Sequence, residues 1–311
     1  MAKPRNKFLD YLVYVAFRLL ETFVRMSDIR ANYDTFRLMG DLAYRLDRRH
    51  RHRALEHLRR SFPDWTLRQR RQVARQAMRS FFYLGLEMLF TTRLMTPTRW
   101  RACIRLTNMA ESMRLMIQRR QPIVMVTGHF GNWEIAAYTM SVLGFPVYAV
   151  ARALDNPYLN DYLTGLRQRS GLTILDKKGA TMQMDEILSG KNILAWVADQ
   201  DAGKKGLFVD FFGRKASAFK SVALLAMQYQ APVVVGYGRR LDLRCHFEIA
   251  VQRIIQPEEW ADKDDPLRWI TQEYTRELEL AARMWPEQYL WPHRRWKHRP
   301  KGEPQPADGI A

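Results

Sequence analysis

Hydrophobic and polar positions change rhythm along the chain. The first patterned stretch, residues 8–24, reads FLDYLVYVAFRLLETFV and is broken only by Asp10, Arg18 and Glu21 among its charged positions. At 3.6 residues per turn, Asp10, Tyr14, Arg18 and Glu21 share one narrow arc, and the rest of the circumference is apolar. Such a helix lies in a bilayer interface, crosses a bilayer with its polar stripe against protein, or sits in a soluble core. Residues 34–46 and 53–61 read as helices, the second closed by Phe62-Pro63, and residues 66–89 as a longer helix.

From Pro122 the pattern shortens. Residues 123–126, 147–150, 172–175, 193–197 and 233–237 are brief apolar runs with the character of buried strands, and 244–252 reads as a partly exposed one. Helical stretches are expected at 134–143, 157–168, 180–188, 220–228 and 266–284. This alternation predicts an α/β fold, a single sheet sandwiched by helices, with an N-terminal helical extension. The expected organisation is an N-terminal helix over residues 1–26, one domain over 27–300, and a polar, Pro-containing disordered tail over 301–311.

Charge sharpens the picture. Fifty Lys and Arg against 32 Asp and Glu leave a net charge of +18, which implies an anionic partner: nucleic acid, an anionic membrane surface or a phosphorylated substrate. Residues 45–60 are dense in arginine, read either as a solvated helix face or as contacts to phosphate. Lys3, Arg5 and Lys7 precede the apolar stretch, but no small-residue cleavage site follows it, so a signal peptide is not expected. No apolar run reaches the ~18 residues of an uninterrupted span. The flanking positive charge tilts the reading toward the cytoplasmic face of an anionic membrane. Cys103 and Cys245 are the only cysteines, without a CxxC pair, so neither a disulfide scaffold nor a cysteine zinc site is expected, and the compartment is reducing. Dinucleotide, P-loop, serine-elbow and zinc-protease motifs are all missing.

One stretch carries candidate chemistry: Thr127-Gly128-His129-Phe130-Gly131-Asn132-Trp133-Glu134. His129 falls just past a strand, at a turn flanked by glycines that permit close backbone approach. Glu134 follows five residues later, where a turn entering a helix brings a carboxylate back toward the imidazole. A carboxylate on one ring nitrogen fixes the tautomer and raises the basicity of the other, which can then take a proton from a hydroxyl. A structural histidine at a strand end is the simpler alternative for this spacing alone.

Further blocks follow in order: Ala151-Arg152, Asn156-Pro157 and Arg167; then ADQDAGKKGLFVDFFGRKA at 198–216; then EQYLWPHRRWKHRP at 287–300. With the His–Glu block, these resemble the late acyltransferases of lipid A biosynthesis, within the lysophospholipid acyltransferase superfamily, over roughly residues 8–300. The resemblance implies His129 as general base, Glu134 as its partner, and Arg167 as a catalytic arginine that steadies an oxyanion or a phosphate-bearing substrate. It places Arg152, Asn132, Asp199, Lys204, Lys205 and Arg294 among substrate-binding residues. It implies an acyl thioester donor on acyl carrier protein or coenzyme A, an anionic glycolipid acceptor, a membrane surface at the cytoplasmic face of the bacterial inner membrane, and no metal, bound cofactor or nucleic acid. Phe208, Phe211 and Phe212 read as an acyl groove or as core. Trp291 and Trp296 among basic residues suit a bilayer interface or nucleic acid. Lysophospholipid or amino-acid-lipid acylation stays open, as does, more remotely, a basic nucleic-acid-binding protein.

Overall fold

The structure, a computed structural model, describes residues 6–151, 153–176 and 180–303. Arg152 and the tail beyond 303 lie outside the described residues.

Four helices open the chain: α1 (Lys7–Met26), α2 (Ile29–Leu46), α3 (Arg48–Ser61) and α4 (Leu67–Leu94). Each start is written in the sequence by a capping side chain. Asn6 accepts from the Phe8 and Leu9 amides, Asp28 from those of Arg30 and Ala31, and Thr66 forms a reciprocal capping box with Gln69. Helix α2 runs close along α4, and Gly40 permits the approach, because a Cβ there would lie 2.8 Å from the Arg79 Cα.

The rest alternates: β1 (Ile104–Thr107), α5 (Ala110–Gln118), β2 (Ile123–Thr127), α6 (Trp133–Val142), β3 (Val147–Ala151), α7 (Pro157–Gln168), β4 (Thr173–Asp176), α8 (Ala180–Ser189), β5 (Ile193–Val197), β6 (Leu207–Phe211), β7 (Arg214–Ala218), α9 (Lys220–Tyr229), β8 (Val233–Arg240), β9 (Phe247–Ile255) and α10 (Pro266–Met284). Seven strands form one sheet in the order β1-β9-β8-β2-β5-β3-β4. All neighbours are parallel except β8 and β9. Strand β2 is central and apolar on both faces because both are covered. Ile123 joins a core with α4, α5 and α6 residues on one side, and Val124 and Val126 join a core with α8, α9 and α10 residues on the other. The sandwich of helices around one sheet matches the sequence expectation.

Two elements depart from it. The short β1–α5 unit has no counterpart in the expected strands and helices. The DFFG segment is neither groove nor loop: β6 and β7 pair as an antiparallel hairpin outside the main sheet. Its turn puts Phe212 and Gly213 at φ +53° and +67°, the primed-turn geometry that suits a two-residue hairpin. A phenylalanine tolerates this conformation because it is held. Its N–H donates to Glu279 at 2.5 Å, and its ring packs against Phe62 and Trp291. Phe211 and Phe212 are therefore core residues.

Helix α1 is turned inside out relative to a soluble helix. Asp10 and Glu21 are buried against the body. Glu21 takes Arg18, Arg25 and the Tyr162 hydroxyl, and the Asn156 amide of α7 donates to the Asp10 carbonyl. Meanwhile Phe8, Leu19, Phe23 and Met26 are 68–83% exposed. No helix among the described residues is long and apolar enough to cross a membrane.

A buried polar knot ties this helical layer to the sheet. Glu87 of α4 accepts from Arg240 Nη2 at 2.8 Å, from the Tyr33 hydroxyl at 2.8 Å and from the Asn132 amide at 2.9 Å. Arg240 also donates to the Ser80 hydroxyl at 3.0 Å. Removing one charge from such a pair strands the other in the interior. Glu87→Ala is expected to destabilise the protein by about 3–5 kcal/mol, read as a lowered midpoint in urea unfolding. An unchanged midpoint would show that water solvates Arg240 in the native state.

Candidate active site

The site is set by the pairing of β2 with β5. Thr127 stands opposite Val197 in parallel register, and the Ala198 amide donates to the Thr127 carbonyl at 2.8 Å. Two residues past each strand end come His129 and Asp199. Parallel strands deliver their carboxyl ends, and the loops that follow, to the same edge of the sheet, where ligands of α/β folds bind. His129 Nδ1 lies 2.6 Å from Asp199 Oδ1, and the His129 amide donates to Oδ2 at 2.8 Å. Gly128 makes this approach possible, since a Cβ there would stand 3.2 Å from the carboxylate.

The imidazole is thereby oriented. With its Nδ1–H donating to Asp199, Nε2 is the acceptor nitrogen. Nε2 meets the side-chain amide of Gln200 at 3.0 Å, which caps its lone pair. Trp133 packs edge-on against the ring, with centroids 4.7 Å apart. Burial alone would lower the His129 pKa, but the Asp199 charge and hydrogen bond outweigh it, and the pKa is raised above its ordinary 6.5. Asp199 itself is fully enclosed, and the adjacent imidazole holds its carboxyl down at about 2 against the upward pull of burial.

Glu134 takes another partner. Arg167 of α7 grips it in a fork, Nε to Oε2 at 2.8 Å and Nη2 to Oε1 at 2.7 Å. The expected His129–Glu134 hydrogen bond is thus replaced by two pairs, His129 with Asp199 and Glu134 with Arg167. The reason is geometric. Glu134 opens the first turn of α6 beside α7, where a guanidinium matches both carboxylate oxygens, whereas Asp199 sits directly across the sheet edge from the ring.

The remaining candidates sort by burial. Asn132 is 0% exposed. Its side chain caps α6 by accepting from the Ile135 amide and donates to Glu87. It therefore builds the turn and is not available to substrate. Asp199, expected among substrate-binding residues, has its carboxylate engaged by His129. Lys204 and Lys205 lie exposed on the turn before β6 and line neither of two cavities beside the site. Arg294 lines the second of these cavities. Arg152 falls outside the described residues.

The basic aromatic tail is not a surface. Trp291 and Trp296 are buried, as is Arg295, which donates to the carbonyls of Gln200 at 3.1 Å and Ser217 at 2.5 Å. His298 holds Asp201 at 2.6 Å. The tail thus clamps the loop that carries Asp199 and Gln200. His293 lies parallel to His129 with centroids 6.2 Å apart, and burial lowers its pKa to about 4. Gln200 and His293 carry no role in the sequence reading, although both stand inside the most specific blocks.

His129, Glu134, Arg167 and Gln200 line the mouth of a cavity of about 500 Å³. Its interior is apolar, formed by Met109, Met125, Met140, Leu172, Ile174 and Ile249. A buried base at the mouth of an apolar cavity can act on a polar group carried by a long hydrophobic chain.

Comparison with known proteins follows the same line. The family model described as "Bacterial lipid A biosynthesis acyltransferase" matches residues 3–298. The chain is 27% identical over 276 residues to a lipid A biosynthesis lauroyltransferase of Escherichia coli (strain K12), covering 86% of this chain and 85% of that protein. It is 27% identical over 252 residues to a lipid A biosynthesis palmitoleoyltransferase of the same organism, covering 78% and 77%. A lipid A biosynthesis acyltransferase of Shigella flexneri matches to the same extent.

The geometry fixes the direction of titration. In a histidine-observed NMR titration, His129 should titrate above 6.5, and Asp199→Asn should lower its midpoint, because burial is then opposed only by the smaller effect of the Glu134 charge. An unmoved midpoint in the variant would show that Asp199 does not set the charge of the ring.

Proposed function

The chain belongs to the bacterial lipid A biosynthesis acyltransferases and is an acyltransferase; we propose that it moves a fatty acyl chain from a thioester on acyl carrier protein to a hydroxyl of a lipid A precursor. The observation that carries this reading is the oriented His129 at the mouth of the apolar cavity. The fatty chain fills the cavity, its walls excluding water from the thioester, and the carbonyl carbon rests near Nε2.

His129 is the general base. The acceptor hydroxyl displaces the Gln200 amide, gives its proton to Nε2, and attacks the thioester carbonyl. The tetrahedral oxyanion collapses as the C–S bond breaks, and the imidazolium returns the proton to the leaving thiol. The products are an ester and a free thiol, with no covalent enzyme intermediate. Asp199 holds the tautomer and offsets the charge that forms on the ring. Arg167, with Nε and Nη2 committed to Glu134, places positive charge beside the developing oxyanion. In this reading Glu134 positions Arg167.

The enzyme works at the cytoplasmic face of the inner membrane. The exposed apolar side of α1 supports this, because an apolar face on a helix whose two carboxylates point inward suits an interfacial helix. The net charge of +18 adds attraction to anionic lipid.

The test is acyl transfer from acyl carrier protein thioesters to a Kdo–lipid A precursor, followed by lipid mass spectrometry. His129→Ala should lower kcat by about 10²–10⁴-fold while the protein stays folded at the assay temperature, although it loses some stability because Asp199 is left without its partner. Asp199→Asn should shift the acid limb of kcat/KM downward, and Glu134→Gln should lower kcat while shifting that limb much less. The opposite pattern would return Glu134 to the imidazole. Full turnover in His129→Ala would remove the mechanism. Transfer to lysophospholipids alone would move the acceptor.

For the membrane, Leu19→Asp with Phe23→Asp should abolish co-flotation with anionic vesicles while leaving the fold intact. Retained flotation would assign membrane contact to another surface.

A further inference from the structure

A second cavity, of about 640 Å³, is lined by His293, the ring that stacks on His129. The two rings stack in parallel, and the Leu290 amide donates to the His129 carbonyl at 3.1 Å while Leu290 also lines the cavity. The base lines one cavity, and its stacked neighbour His293 lines another of different character. The first is apolar. The second has two halves.

One half is cationic, formed by Arg53 of α3 with Arg294 and Lys297 of the tail. Its two carboxylates are already engaged: His50 holds Asp47 at 2.6 Å, and His298 holds Asp201 at 2.6 Å. Arg53 is only 4% exposed, donates through Nη1 to the Pro292 carbonyl, and has no hydrogen-bond partner at Nε. A guanidinium enclosed with an unused donor, repelled by Arg294 and Arg49 more than it is attracted by Asp47, favours a further anion beside it.

The other half is apolar: Ala43 of α2 with Met78, Phe81 and Phe82 of α4. It runs on to the surface. Phe81 is exposed, and Leu38, Leu42 and Leu46 follow at four-residue spacing along α2, all exposed. That stripe adjoins the arginines that open α3.

We infer that this second cavity holds the acceptor, an anionic acylated sugar lipid. Its phosphate or carboxylate head lies against Arg53, Arg294 and Lys297, and the chains it already carries leave over Phe81 and Phe82 toward the α2 stripe. A cationic pocket joined to an apolar exit matches the two ends of such a lipid and matches neither a free sugar phosphate nor a bare fatty acid. The lipid reaches His129 from the bilayer, while the donor chain occupies the other cavity. This inference rests on the acyl-transfer reading above and adds to it the place and chemistry of the acceptor.

Lys297 and Phe81 are both exposed, so Lys297→Glu and Phe81→Asp leave the core intact. With purified full-length protein, KM is measured separately for a bisphosphorylated, Kdo-bearing lipid A precursor and for the acyl carrier protein thioester. Each variant should raise the acceptor KM by about tenfold or more, with kcat and donor KM within twofold of wild type. Removing the phosphates from the acceptor should weaken the wild type and cost Lys297→Glu much less. A rise in donor KM instead would give the cavity to the carrier protein and overturn the inference, as would unchanged acceptor KM in both variants. Wild-type protein that acylates no lipid at all would bring down the acyl-transfer reading itself, an outcome distinct from active protein with an indifferent cavity.

Discussion

The parallel pairing of β2 with β5 is the constraint on which the site depends. It sets two loops side by side at equal distance past their strands, so that a histidine and an aspartate seventy residues apart meet at 2.6 Å. Little else has to be arranged for the dyad to form. Gly128 must lack a side chain, the loop after β5 must be held, and the sheet must be covered on both faces. The first is met by a residue choice, the second by the tail, and the third by α5 and α6 on one side with α8, α9 and α10 on the other.

The tail shows how a loop becomes a precise support. Loops carry function because they tolerate change, yet a catalytic orientation tolerates little movement. Here residues 291–298 return across the loop. Arg295 donates to the Gln200 carbonyl, His298 takes Asp201, and Trp291 and Trp296 anchor the tail in an aromatic cluster with Phe211 and Phe212. The hairpin with its strained Phe212 thus belongs to the same device: it supplies the apolar wall on which the clamp rests.

Much of this fold is legible from periodicity, and the reason is local. Helices α7 and α10 are bounded by Asn156-Pro157 and Asp265-Pro266, caps followed by proline at the first helical position, and both fall where the sequence expects them. Strands β2 and β5 are continuous apolar runs. The strand β1 and the β6–β7 hairpin escape because four or five residues of mixed polarity carry too little pattern. The family resemblance picks out His129, Glu134 and Arg167, and all three line one cavity mouth. The pairing among them is another matter, since it depends on which strand ends lie beside each other. Asn132, Trp291 and Trp296 mislead for a related reason. A polar or amphipathic residue in a motif suggests contact with a ligand, and only burial reveals that Asn132 is a helix cap tied to Glu87 and that the tryptophans are core.

The separation of charges into two pairs bears on how the base can work. Had Glu134 held the imidazole, Arg167 would stand largely buried without a partner, and Asp199 would be an enclosed carboxylate without the imidazole N–H that it accepts from. Each situation is costly in a medium that solvates charge poorly. With Asp199 accepting from the ring and Arg167 paired with Glu134, both carboxylates beside the cavity have a donor, and one polar contact, Gln200 on Nε2, occupies the place where an acceptor hydroxyl would arrive. Displacing a neutral amide from an acceptor nitrogen exchanges one hydrogen bond for another of similar strength. The base can therefore be engaged by an acceptor without breaking either pair, which lets the orientation of the ring persist through the proton transfer.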